Sequence, residues 1–214
     1  MARKLSLPVL QGLLAALLLA ATATAGPADE LLRTLRTDDA RTASALLARG
    51  TDPNAPDEKG QVPLYLALRD GAPAVARVLI ASPALQVDAT NPANETPLMM
   101  AALRGDIEAA QLLLRRGAQV NRSGWTPLHY AASGPQPPLV ALLLERGAVI
   151  EALSPNRTTP LMMAAGYGAI DSAVLLLQRG ADAKARNDAG LTAADFARRA
   201  GRDRLAERLE AAAR

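Results

Sequence analysis

No cysteine occurs in this chain, and only one histidine does. The first absence excludes disulfides, thiolate catalysis, cysteine-based zinc sites and a lipid-modified N-terminal cysteine. The second leaves His129 as the only imidazole available to a Ser/His/Asp arrangement, with no partner motif beside it. Metal-ligand spacing, EF-hand loops and phosphate-cradling glycine loops are also missing. No cofactor or metal is expected, and no catalysis. Aromatic residues are scarce, at 2%, although half of the chain is apolar. Arg3 and Lys4 supply two of the three net positive charges, which leaves a nearly neutral remainder and no electrostatic case for nucleic acid.

What the chain does have is a repeat. Thr96-Pro97-Leu98-Met99-Met100-Ala101-Ala102 returns as Thr126-Pro127-Leu128-His129-Tyr130-Ala131-Ala132 and as Thr159-Pro160-Leu161-Met162-Met163-Ala164-Ala165. Weaker copies run from Val62 to Leu68 and from Leu191 to Ala197. The proline position falls at 63, 97, 127, 160 and, as alanine, 193, in steps of 34, 30, 33 and 33 residues. A period in this range marks a stacked array.

Each copy carries its own mechanics. Threonine can cap a helix start, and proline fits the first helical position, where its missing N–H costs nothing. Eight residues after each proline, Gly71, Gly105 or Gly168 is suited to stop a short helix in a left-handed conformation. A second helix then carries Leu112–Leu114, Leu142–Leu144 or Leu175–Leu177, an apolar arc wide enough to require neighbours on two sides. Gly117, Gly147 or Gly180 opens the turn to the next unit. The finger between Asn121 and Pro127 is three residues shorter than the others.

These residues resemble the ankyrin repeat, over roughly residues 29–214, through the Thr-Pro-Leu-His-x-Ala opening and the Gly-Ala-x-x-Asn ending. The resemblance implies an all-α solenoid of stacked helix-turn-helix units, curved, with short β-hairpin-like fingers. It also implies that His129 ties finger to helix, as the family's histidine does. Tyr65, Met99 and Met162 stand at the equivalent places. A degenerate N-terminal cap (28–59), repeats at 60–93, 94–123, 124–156 and 157–189, and a charged C-terminal cap (190–214) are expected.

Residues 1–25 read as a signal peptide: a basic start, an apolar centre and Ala23-Thr24-Ala25 before Gly26. The alternative is an uncleaved membrane anchor, although Pro8, Gln11 and Gly12 interrupt the run. With the Ala/Leu/Arg-heavy composition, this points to a bacterial, periplasmic protein, or a secreted one from another source. Asn94-Glu95-Thr96, Asn121-Arg122-Ser123 and Asn156-Arg157-Thr158 match the glycosylation pattern but coincide with finger positions.

The family binds other proteins through its concave face and finger tips. Carried over residue by residue, the concave positions are Arg36/Thr37, Arg69/Asp70, Leu103/Arg104, Ser133/Gly134, Gly166/Tyr167 and Arg199/Ala200. Gln61, Glu95, Trp125, Thr158 and Leu191 add finger contacts. Arg69, Asp70, Leu103, Arg104, Trp125 and Tyr167 are the expected partner-binding set, since Trp, Tyr and Arg most often anchor interfaces. The function expected is a monomeric, exported scaffold or adaptor that binds a partner protein, with no nucleic acid and no membrane after cleavage. The alternative is an immunity-type inhibitor occluding a toxin or enzyme in the periplasm.

Overall fold

Helices start where threonine and proline stand together. Thr96 and Thr159 accept from the N–H of Met99 and Met162 at 3.3 Å, and Pro63, Pro97, Pro127 and Pro160 each occupy the first helical position. The computed structural model describes residues 26–214, in which these starts organise pairs of short helices. The signal peptide expected at 1–25 lies outside the described residues.

The inner layer consists of α1 (Pro27–Thr37), α3 (Pro63–Asp70), α5 (Pro97–Arg104), α7 (Pro127–Ser133), α9 (Pro160–Gly166) and α11 (Ala193–Arg199). Each is followed by an outer helix: α2 (Ala40–Ala48), α4 (Pro73–Ala81), α6 (Ile107–Arg115), α8 (Pro137–Glu145), α10 (Ile170–Gln178) and α12 (Asp203–Ala212). Every inner helix packs on the next inner helix, and outer helices stack likewise from α2 to α10. The array is an all-α solenoid with one continuous core.

That core is built from small and branched side chains. Leu64, Leu98, Leu128 and Leu161 are buried behind the helix starts, and Ala67, Ala101, Ala131 and Ala164 let neighbouring inner helices approach closely. The scarcity of rings follows from this geometry, since bulk at the alanine positions would push the layers apart. In the outer helices only the middle leucine of each triplet, Leu113, Leu143 or Leu176, is fully buried, and its flanking leucines are half-buried.

Three local features differ from the sequence expectation. Gly71 and Gly105 are left-handed as expected, but Gly168 is not. Its missing side chain answers a different need: a Cβ there would collide with the carbonyl oxygen of Ala132 in the preceding unit. At the end of α4, where Pro83 replaces the usual glycine, the guanidinium of Arg116 from the next unit covers the carbonyls of Ile80 and Ser82. The free carbonyls of this helix end are thus closed by a neighbour.

The third difference concerns the fingers. No β-strand exists among the described residues, so the hairpin-like fingers are corrected to closed loops. Each full-length finger closes on itself through backbone bonds, among them Asp57 N–H to Gln61 O, Asn91 to Glu95, Ser154 to Thr158 and Asn187 to Leu191, and a single bond, Asp188 N–H to Asn156 O, joins the last two fingers. The side-chain oxygen of the first residue takes a second N–H of the same loop, as when Asp57 accepts from Gln61 N at 2.8 Å. These internal bonds engage most of the donors that a strand ladder would need, and one isolated bond between fingers does not make a ladder. The short finger has no such closure. Asn121 there braces the next unit, donating to Gly147 O and accepting from Val149 N.

Candidate functional site

His129 shows how finger and helix are joined. It is fully buried. Its Nδ1 accepts from the Thr126 N–H at 3.2 Å, so Nε2 carries the proton and donates to the Thr158 carbonyl at 2.9 Å. Burial holds its pKa below the usual value. Both ring nitrogens are engaged and the imidazole stays neutral, which is a structural tie and no base. Met99 and Met162 fill the same place, with Sδ accepting from Thr96 N–H and Thr159 N–H at 3.4 Å.

One turn away the packing opens. A groove of about 570 Å³ lies between the last finger loops and the inner helices α9 and α11. Trp125, Asn156, Thr158, Asn187 and Leu191 line it from the finger side. Met163, Tyr167, Phe196 and Arg199 line it from the helices. Tyr167 is 65% exposed and meets Phe196 edge-on, with ring centroids 6.4 Å apart. Trp125 is half-buried and packs edge-on against the His129 ring at 5.2 Å. Edge-to-face contacts hold each ring in place while a face stays available to a ligand.

The structure divides the set expected from sequence. Trp125 and Tyr167 line this one groove, together with Thr158, Gly166, Leu191, Arg199 and Ala200 from the wider set. Arg69, Asp70, Leu103 and Arg104 sit at the ends of α3 and α5, away from it. Arg69 spends its charge on its neighbour Asp70, in a paired contact of 2.6 and 2.9 Å. Leu103 packs half-buried against the core, and Arg104 is exposed.

Two features escape sequence reasoning. One is Phe196, the only phenylalanine, which makes an aromatic wall with Tyr167. It stands three residues beyond the proline-equivalent Ala193, as Met163 stands beyond Pro160, and that register was the available signal. The other is a polar cluster on Glu95. Tyr65 and Tyr130 donate to its two carboxylate oxygens at 2.6 and 2.7 Å, and Asn91 Nδ2 donates at 2.8 Å. Burial alone would raise the pKa of Glu95, but the three donors together hold it below its ordinary value. Burial and the adjacent carboxylate push Tyr65 up to about 12 and raise Tyr130 further still. Three units converge here, at spacings of 30 and 35 residues that no local motif reveals.

Among the described residues there is no group of three or more His, Asp or Glu side chains placed to hold a metal ion. No helix of the described residues is long and apolar enough to cross a membrane.

A family model described as "Ankyrin repeats (3 copies)" matches residues 31–123, 83–154 and 117–187. Among similar proteins, the B-cell lymphoma 3 protein homolog of Mus musculus is 31% identical, over 66% of this chain and 33% of its own length. The nuclear factor NF-kappa-B p105 subunit of Gallus gallus is 30% identical, over 71% of this chain and 16% of its own. The ankyrin repeat and SOCS box protein 16 of Homo sapiens is 35% identical, over 74% and 37%. The chain thus spans well under half the length of these relatives. They are eukaryotic proteins, one of them a subunit of a nuclear factor, and they overturn the expectation of a bacterial export with a signal peptide, periplasmic or secreted. The composition that suggested such a source has a physical explanation in the fold, since alanine and leucine are what close helix stacking requires.

Proposed function

Because the chain belongs to the ankyrin-repeat family, a family of non-catalytic scaffolds for protein–protein interaction, we propose that it holds a partner protein in the groove of its C-terminal units. The observation that carries this reading is the aromatic lining. Trp125, Tyr167 and Phe196, most of the few large rings in the chain, gather at one opening, and Tyr167 stays 65% exposed there. Rings held at their edges offer desolvated area at little entropic cost, which is how interface hot spots arise. The groove, and not a surface running from Arg69 to Tyr167, is the proposed contact. The immunity-type alternative, an inhibitor occluding a toxin or enzyme, would use the same face, and only its periplasmic setting is overturned by the eukaryotic relatives.

The test compares two faces of the same molecule. With a partner in hand, Tyr167→Ala weakens binding by about 2 kcal/mol or more, a usual hot-spot threshold. Arg77→Ala, on outer helix α4 and paired among the described residues with Glu108 at 3.4 Å, leaves it unchanged. A partner that responds to Arg77→Ala and ignores Tyr167→Ala overturns the reading.

A further inference from the structure

The array contains one finger site twice, once filled and once open. At the filled copy, Asn91 closes its loop with Oδ1, accepting from Glu95 N–H at 2.9 Å, and turns Nδ2 to the Glu95 carboxylate at 2.8 Å. The same carboxylate receives Tyr65 and Tyr130. At the other copy, Asn187 closes its loop in the same way, with Oδ1 accepting from Leu191 N–H and Ala189 N–H at 3.0 Å. But the residue four positions on is Leu191, not glutamate. Asn187 is 8% exposed and lines the groove, and its Nδ2, which solvent still reaches there, has no hydrogen-bond partner among the described residues. An amide donor held in place by its loop and open to the groove is free to meet an incoming acceptor without reorganising.

The charges around it point the same way. None of the described residues lining the groove is Asp or Glu. Of the arginines on this end, Arg198 pairs with Glu210, and Arg202 is spent on the carbonyls of Ala164, Ala165 and Gly168. Arg199 lines the groove, exposed, with no ion pair among the described residues.

We infer that the groove accepts an acidic side chain of a partner protein segment, with an apolar side chain beside it. The inference rests on the groove being the binding face. The carboxylate plays the part that Glu95 plays in the filled copy, meeting the Asn187 amide and the Arg199 guanidinium beside Leu191. The neighbouring apolar side chain seats against Tyr167 and Phe196. A charge-assisted pair in a partly desolvated groove is stronger than its exposed equivalent, and the absence of competing acid sets the sign of the ligand.

The chain itself supplies the test variants. Asn187→Asp keeps the loop closure, because Asp57 already closes the first finger by accepting from Lys59 and Gln61 N–H, but it removes the amide donor. Leu191→Glu installs the internal carboxylate of the filled copy and so closes the site. Arg199→Ala changes an exposed side chain. A phage-displayed library of random dodecapeptides is panned on the full chain, and the most enriched peptide is synthesised and titrated by fluorescence anisotropy. The expected peptides carry Asp or Glu next to Phe, Leu, Ile or Met. Amidating that acid, or introducing Asn187→Asp or Arg199→Ala, weakens binding at least tenfold, and Leu191→Glu abolishes it, with the melting temperatures of all three variants within a few degrees of the parent. Peptides that need Tyr167 but carry no acid overturn the carboxylate and leave the groove standing. Peptides indifferent to both Tyr167→Ala and Asn187→Asp, or no enrichment at all, overturn both readings.

Discussion

Tyr130 donates its hydroxyl to Glu95 at 2.7 Å across one whole repeat, and Tyr65, on the other side, donates to the same carboxylate at 2.6 Å. One finger side chain therefore fastens three successive units. In a solenoid, where each unit touches only its neighbours, such a contact raises the coupling between repeats that makes unfolding cooperative.

Glu95→Gln tests the fastener. It keeps the shape and removes the charge, so it should cost about 1 kcal/mol, allowing for the solvent that reaches this half-buried group. Because the folded pKa of Glu95 lies below its ordinary value, its contribution is present at neutral pH and is lost as pH falls below about 4.5 and through the folded pKa. Urea midpoints at pH 7 and pH 3 for parent and variant should therefore converge at the acid end. Ultraviolet titration of the variant should also bring Tyr65 down from about 12.

His129 predicts a second, separate pH window. Its folded pKa lies below the ordinary 6.5, so the unfolded chain takes up a proton that the folded one refuses. Stability should be intact above about pH 6.5 and decline as pH falls below it. His129→Met copies Met99 and Met162 at the same register and should remove this slope. The check is the change in urea midpoint between pH 7.5 and 5.5; an unaltered slope in the variant would sink the assignment.

Leucine truncation should depend on place within a triplet. Leu143 is fully buried, so Leu143→Ala should cost ~2–5 kcal/mol. Leu142, half-buried on the same helix, should cost clearly less. Equal losses in chemical melts would mean that the outer layer is not covered as described.

Ser172 offers a change in the opposite direction. Its hydroxyl is buried and without a hydrogen-bond partner among the described residues, while Ala109 occupies the same register of α6. Ser172→Ala should be neutral or stabilise by up to ~1 kcal/mol, since it removes an unsatisfied group and leaves no large void. A loss above 1 kcal/mol would show that the hydroxyl has a partner after all.

The repeat, the helix starts and most of the stops were legible in the chain because they are local chemistry. A Thr-Pro pair caps and opens a helix within four residues, and Gly71 or Gly105 ends one by its own backbone freedom. Recurrence every 30 to 34 residues then leaves few architectures besides a stacked array. Composition carried no address, because Ala and Leu report helix packing and not a compartment. Tertiary structure decided everything that depends on how one unit is set against the next. Stacking placed the Ala132 carbonyl where Gly168 must lack a side chain, and it brought Tyr65 and Tyr130 to Glu95. Side-chain geometry decided that Arg69 turns to Asp70 while Arg199 stays open, and loop closure decided that fingers form no strands. Those choices depend on the offset between repeats and on which hydrogen-bonding groups remain unspent after local closure, quantities that a one-dimensional pattern does not contain.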